Sequence, residues 1–273
     1  MTTHQLPTYF INHGGGPWPW LDSTAMPVDF ARLADSLRAI PEEIGTKPSA
    51  ILVVSAHWEA PEFTVQTSPN PPMIYDYYGF PKHTYEIQYP APGAPAIADR
   101  VVELLTAAGI VAHTDDARGF DHGVYAPMHV AFPDAEIPVF QLSLRAGLDP
   151  TEHLAAGRAL APLRDENVLI IGSGVPSYHN MRVNNVAVES AAFDAWLTET
   201  MVNSSAEARV ERLLAWEDAP FARVAHPREE HFLPGMVVIG AAGDDPGHRN
   251  YHEERVMGWL WSSGYRFGPT RAA

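Results

Sequence analysis

The sequence holds thirteen histidines and no cysteine, so any metal or acid–base chemistry falls to nitrogen and oxygen donors. Four histidines stand where a scaffold would aim them at a common point. His13 follows Tyr9-Phe10-Ile11-Asn12, and His57 closes the run Ala50-Ile51-Leu52-Val53-Val54-Ser55-Ala56. His179 follows Val168-Leu169-Ile170-Ile171-Gly172-Ser173-Gly174 by a short loop, and His231 enters an apolar helical stretch that reaches Ala242. One histidine at a strand end is more often a hydrogen-bonding residue than a ligand, but four such placements are not independent accidents. Imidazole ligands suit iron, zinc, nickel or copper better than magnesium or calcium. A catalytic site of this kind uses three protein ligands and keeps further positions open. His122, between Asp121 and Gly123, is better placed for proton transfer or for orienting a ligand than for ligation. Glu229 and Glu230 are near enough in sequence to replace or support His231. His226 precedes a proline and reads as part of a helix cap. His4, His83, His113, His129, His153, His248 and His252 read as surface or local hydrogen-bonding residues.

The elements that must position these groups are strands of a buried sheet. The run ending at His57 has the pattern of a strand covered on both faces, which would deliver His57 to its carboxyl edge, where open α/β sheets bind ligands. Stretches 137–144 and 167–171 read as further buried strands. Between them Asp149 caps a helix with Pro150 in its first turn and Glu152 completing a capping box, so the three form a βαβ crossover. Residues 30–40 and 95–108 read as helices, the first stopped by Pro41 and the second followed by Gly109. Two more helical stretches cover 190–202 and 206–216. Stretch 232–242 is apolar nearly all round, the mark of a buried helix. Pro234 is tolerated only in a first turn, which starts that helix near Glu230 and puts His231 in a positive field that favours neutral imidazole. The expectation is a single α/β domain over residues 1–273, with a central mostly parallel or mixed sheet and helices on both faces.

Two loops carry further signals. The glycines of Asn12-His13-Gly14-Gly15-Gly16-Pro17 let backbone approach a bound group, and no Gly-Lys-Ser/Thr follows to make it a phosphate loop. Stretch 69–95 is rich in proline and tyrosine. A loop of that length is usually functional, and Tyr75, Tyr78 and Phe80 are expected to wall an apolar pocket.

Composition narrows the function. The 46% hydrophobic and 19% charged fractions describe a globular chain. No apolar run reaches the roughly 18–20 residues that span a bilayer, and the first residues lack a secretory pattern, so a cytoplasmic location is expected. A net charge of −15 disfavours nucleic-acid and anionic-lipid partners and leaves a small molecule as the default.

Six stretches taken together are specific. They are Asn12-His13-Gly14-Gly15-Gly16-Pro17, Val54-Ser55-Ala56-His57-Trp58, Tyr75-Asp76-Tyr77-Tyr78-Gly79-Phe80-Pro81, Gly119-Phe120-Asp121-His122-Gly123, Ile171-Gly172-Ser173-Gly174 with Tyr178-His179-Asn180, and Glu229-Glu230-His231-Phe232-Leu233-Pro234. In this order the chain resembles the DOPA-dioxygenase-type class III extradiol ring-cleaving dioxygenases, the superfamily of the catalytic subunit of protocatechuate 4,5-dioxygenase. The resemblance implies that His13, His57 and His231 hold the metal, His231 replacing a glutamate of more distant members. It implies that His179 is the acid/base residue, close enough to the metal to act as a fourth ligand when substrate is absent. His122 would line the pocket and meet dioxygen or a substrate hydroxyl. The cofactor implied is Fe(II) in catalysis, with zinc carried by some relatives, and the partners are a catechol-type aromatic diol and O2. An oligomer stays open. Two readings from other classes stand beside it: a zinc-dependent hydrolase using the same histidines, and a non-enzymatic metal-binding relative.

Overall fold

Alternation along the central strands decides the architecture, because successive side chains of a strand leave on opposite faces. The computed structural model describes residues 5–26, 28–183 and 185–268. Its strands are β1 (Thr8–Asn12), β2 (Ala50–Ala60), β3 (Phe63–Gln66), β4 (Ala112–Asp115), β5 (Val139–Arg145), β6 (Val168–Gly174), β7 (Gly247–Val256) and β8 (Leu260–Phe267). They form one sheet in the order β4-β3-β5-β2-β6-β1-β8-β7. The four inner strands β5, β2, β6 and β1 run parallel, whereas β3 and β8 pair antiparallel to their inner neighbours. The sheet is therefore mixed, and its parallel centre is the part buried on both sides.

The helices are α1 (Ala31–Ile44), α2 (Pro95–Ala107), α3 (His122–Ala131), α4 (Pro150–Leu160), α5 (Ala187–Thr198), α6 (Ala206–Leu214), α7 (Ala222–Ala225) and α8 (Pro234–Ala242). On one face Tyr9, Ile11, Ile51, Val53, Leu169 and Ile171 pack with α1 and α3 through Leu33, Leu37, Val124 and Met128. On the other, Phe10, Leu52, Val54 and Ile170 pack with α2, α4, α5 and α8. Each strand thus feeds two cores, which is why it reads as a continuous apolar run.

The expected α/β class and the crossover hold: β5 and β6 flank β2 in parallel, and α4 joins them, with the Asp149 carboxylate accepting from the Thr151 amide at 2.7 Å. The capping box is not closed, because Glu152 pairs with Arg145 instead. Pro41 does not end α1. The helix runs one further turn to the buried Ile44 and stops at Gly45, whose φ of +61° is the left-handed conformation that ends many helices. β2 also runs past His57, to Ala60, with a register shift against β5 between Val54 and Glu59. His57 sits in that irregularity, not at a strand end; bulges of this kind re-aim side chains next to sites. The helix expected to start near Glu230 begins at Pro234, so His231 lies in the turn before it, held by the Phe232 and Leu233 amides donating to the Glu229 carbonyl. The antiparallel hairpin of β7 and β8 has no counterpart in the sequence pattern. Among the described residues no helix is long and apolar enough to cross a membrane.

Candidate metal centre

Three separate segments bring three imidazoles together. His13 extends β1, and its amide donates to the Gly174 carbonyl at 3.1 Å, continuing the β1–β6 pairing by one residue. The loop beyond folds back so that the Trp18 indole donates to the His13 carbonyl at 2.8 Å. That return needs Gly14, whose φ is +78° and where an added Cβ would lie 2.3 Å from the indole nitrogen. His57 comes from the irregular part of β2 and His231 from the turn before α8. The His231 carbonyl accepts from the Val175 amide at 3.1 Å, and a Cβ at Gly174 would stand 2.2 Å from the same oxygen. β6 therefore seats His231 directly on its own backbone.

The ligating atoms of His13, His57 and His231 all lie within 4.8 Å of one another. His13 and His57 face each other through Nε2 at 3.3 Å. The other ring nitrogens of the three histidines are turned to polar partners. The Ser173 hydroxyl donates to the Gly123 carbonyl, so its oxygen is left to accept from His13 Nδ1 at 3.2 Å. His231 Nδ1 donates to Glu230 Oε1 at 3.0 Å, and His57 Nδ1 lies 3.6 Å from Asp76 Oδ2. Partners of this type fix the tautomer in which Nε2 carries the lone pair a metal needs. All three rings are neutral near pH 7. Burial first, then neighbouring histidines, holds His13 and His231 well below the ordinary imidazole value and brings His57 down to about 3. Burial, and not the expected helix field, is the leading cause for His231. Three neutral nitrogen donors with a free edge on a cavity fit a divalent iron or zinc ion.

Two more histidines border the cluster. His179 stacks on His231 with ring centroids 3.4 Å apart and planes at 17°, and its Nδ1 lies 3.6 Å from Glu230 Oε1. Burial, then His57 and His122, lowers its pKa to about 4, so it stands ready as a base. His122 opens α3 with its ring centroid 4.0 Å from that of His57. Its Nδ1 and its backbone amide both donate to Asp76 Oδ1, at 2.8 and 3.0 Å. Burial pushes the Asp76 carboxyl up, but the bonds from His122 outweigh it and hold the group below its ordinary value.

All five histidines line one cavity of about 330 Å³, together with Asn12, the Gly14 to Gly16 backbone and Ser262. Tyr75, Tyr78 and Phe80 do not line it. Tyr75 donates its hydroxyl to the Ile87 carbonyl at 2.7 Å, Phe80 packs on Tyr77, and Tyr78 is 92% exposed. Tyr75 and Phe80 fold the 69–95 loop onto itself; from that loop Asp76 reaches His122 and His57, and the Tyr77 ring lies edge-on to His122 with centroids 6.0 Å apart. Asp76 stands out in the sequence only as an acid between two tyrosines. Of the two glutamates, Glu230 supports His231 while Glu229 pairs with Arg223. His226 is fully buried among Phe193, Trp216 and Phe232, and His153 is buried with both ring nitrogens bonded.

Two results are expected from this geometry. Gly174→Ala drives a methyl group into the His231 carbonyl, so the variant should lose roughly 1–3 kcal/mol of stability and bind metal more weakly; unchanged urea midpoint and metal affinity would contradict the contact. Protonation gives the second. Between the depressed folded values of about 3 for His57 and His226 and about 4 for His179 and the unfolded value of 6.5, the unfolded chain binds more protons. Stability of the chelator-treated protein should be full above about pH 6.5 and fall towards pH 4, by roughly 1.4 kcal/mol per pH unit for each proton taken up. Urea titrations at stepped pH measure the slope.

An α/β sheet that presents clustered neutral imidazoles to a substrate-sized cavity defines a candidate non-haem metal centre. The family model of the catalytic LigB subunit of aromatic ring-opening dioxygenase matches residues 7–268, and the chain belongs to that family. It is 39% identical over 270 residues to the 4,5-DOPA dioxygenase extradiol of Beta vulgaris, covering 96% of this chain and 97% of that one. It is 34% identical to the protein of the same name from Escherichia coli (strain K12), covering 90% and 89%. The crystal structure of an uncharacterized Escherichia coli K12 protein aligns with a TM-score of 0.76 at 29% identity, over 96% of this chain and 100% of that one. The chain is accordingly an extradiol ring-cleavage dioxygenase, acting on an aromatic substrate with O2.

Proposed function

We propose that the protein opens the ring of a catechol beside its diol, with Fe(II) as the working metal held by His13, His57 and His231. The chain would act as one catalytic unit in the cytoplasm. Bound there, the metal would acidify the catechol hydroxyls and hold both reactants within bonding reach. The chain's own residues do the rest. His179, neutral at pH 7 and stacked on His231, takes a proton from a substrate hydroxyl and later returns it. Asp76 holds His122 by Nδ1, which leaves Nε2 of that ring, in the cavity lining, to accept from a substrate hydroxyl. The observation that carries this reading is the three imidazoles from three segments, each with its second ring nitrogen turned to a polar partner, at the wall of a cavity sized for one aromatic ring. The relatives named for 4,5-DOPA cleavage support the same chemistry.

The test is to strip the protein with chelator, load Fe(II) without air, add a panel of catechols, and then admit O2. A yellow semialdehyde product is expected, with stoichiometric O2 uptake. Absence of product across the panel would sink the proposal, and turnover independent of O2 would favour a zinc hydrolase instead.

A further inference from the structure

The cavity has two unlike kinds of wall. One is the histidine cluster with Asn12 and Ser262; the other is made by Val256, Met257, Leu260 and Trp261, all from the β7–β8 hairpin. We propose that this hairpin selects catechols whose ring substituent is uncharged and apolar over those that carry a carboxylate, a specificity that rests on the ring-cleaving function proposed above.

Four observations carry it. The hairpin wall offers a carboxylate only hydrocarbon, sulfur and indole surface, and an anion desolvated without a partner is costly. Three guanidinium groups that touch the segments carrying the cluster are committed. Arg118 donates to Asp121 at 2.5 Å and to the His57 carbonyl at 3.3 Å, Arg228 makes a two-point pair with Glu59 at 2.5 and 2.6 Å, and Arg223 bridges Glu217 and Glu229. Among the described residues lining the cavity none is lysine or arginine, while Asp76 and Glu230 lie just behind it, in a chain of net charge −15. Such a field opposes the approach of anions.

The wall is also built to stay in place. Asn12 donates to the Ser262 hydroxyl at 2.6 Å, and the Trp261 amide donates to Ser190 of α5 at 2.8 Å. The Ser263 amide donates to the Ser177 hydroxyl at 3.0 Å, which in turn donates to the buried Asp194 at 2.5 Å. Ser177 lies two residues before His179, so one buried link sets both the apolar wall and the base. At the tip, Met257 has a φ of +56° yet is not glycine, and its side chain, 47% exposed, stands at the cavity mouth. An L side chain kept in that conformation points to use of the side chain itself. Methionine adapts its shape to varied apolar groups.

The experiment compares 4-ethylcatechol with 3,4-dihydroxyphenylacetate on the Fe(II)-loaded protein, by kcat/KM in air and by quenching of tryptophan fluorescence without O2. The uncharged catechol should win by at least about tenfold in both readouts. Met257→Lys, at an exposed tip where folding is not at stake, should narrow or reverse the ratio. Trp261→Ala should raise KM for 4-ethylcatechol with little change in kcat. A wild-type preference for the carboxylate overturns the proposal, and loss of that preference in Arg182→Ala would identify Arg182, next to the lining Met181, as the anchor. Failure to cleave either catechol would sink the function proposed above, whereas a carboxylate preference sinks only the hairpin's role.

Discussion

His57→Ala should strip the metal and, with it, turnover. Structural zinc sites with four protein ligands draw roughly 10–16 kcal/mol from the metal, about 3 kcal/mol per ligand. Removing one of three therefore costs several kcal/mol, and on the order of 10²–10³-fold in affinity at about 1.4 kcal/mol per factor of ten. The fold should survive. His57 sits in an irregular stretch of β2 where no β5 partner is in register, and the strand's hold on the sheet comes from Ile51 to Ser55 against β5 and β6. Metal content after dialysis and the circular dichroism spectrum, measured on the same sample, check both halves. A variant that keeps stoichiometric metal would remove His57 from the ligand set and leave His179, stacked on His231, as the third nitrogen.

His179→Gln separates acid–base work from ligation. If His179 moves protons, the variant keeps its metal and loses kcat by roughly 10²–10⁴-fold, the range for one positioned general base. The amide fills much the same space as the ring and can still hydrogen-bond, but it takes up no proton at neutral pH. The wild-type base has its pKa lowered to about 4, first by burial and then by His57 and His122. It is therefore unprotonated throughout the neutral range, and activity should not fall as pH rises from 6 to 8 on account of this group. Loss of metal in the variant, with kcat per bound ion unchanged, would make His179 a ligand instead.

The parts of the molecule that could be read from sequence are those encoded locally. The runs at 50–56 and 167–171 are strands because residues that feed two cores must be apolar at every position. The helix at 95–107 and the Asp149 cap follow from proline and a side-chain acceptor placed at the first turn. All five singled-out histidines meet at one cavity: His13 and His179 follow the ends of the parallel neighbours β1 and β6, His57 sits in the irregular part of β2, His122 opens α3 and His231 precedes α8.

Where local rules failed, distant contacts had overruled them. Pro41 sits inside α1 because the buried Ile44 and the Gly45 cap lie one turn further on. Glu152 turned to Arg145 rather than to its own helix end. The tyrosines of the 69–95 loop look like a pocket wall, but Tyr75 and Tyr77 bond carbonyls of the same loop, and the polar group handed to His122 is Asp76. The β7–β8 hairpin was invisible because Gly247 to Val256 is mostly polar, without the run or the alternation that marks a strand. It forms because β8 pairs along β1, and its Trp261 amide and Tyr265 hydroxyl then bond Ser190 and Thr198 of α5.

Sequence by itself determined the sheet's buried centre, the residue types of the site and the histidines that compose it, since burial and capping act over a few neighbouring residues. Tertiary structure alone decided which ring nitrogens face one another, which carboxylates fix them, and which apolar wall a substrate meets. Apart from Glu230, the sequence neighbour of His231, those depend on the pairing of segments from tens to 250 residues apart, and no local pattern encodes the register at which they meet.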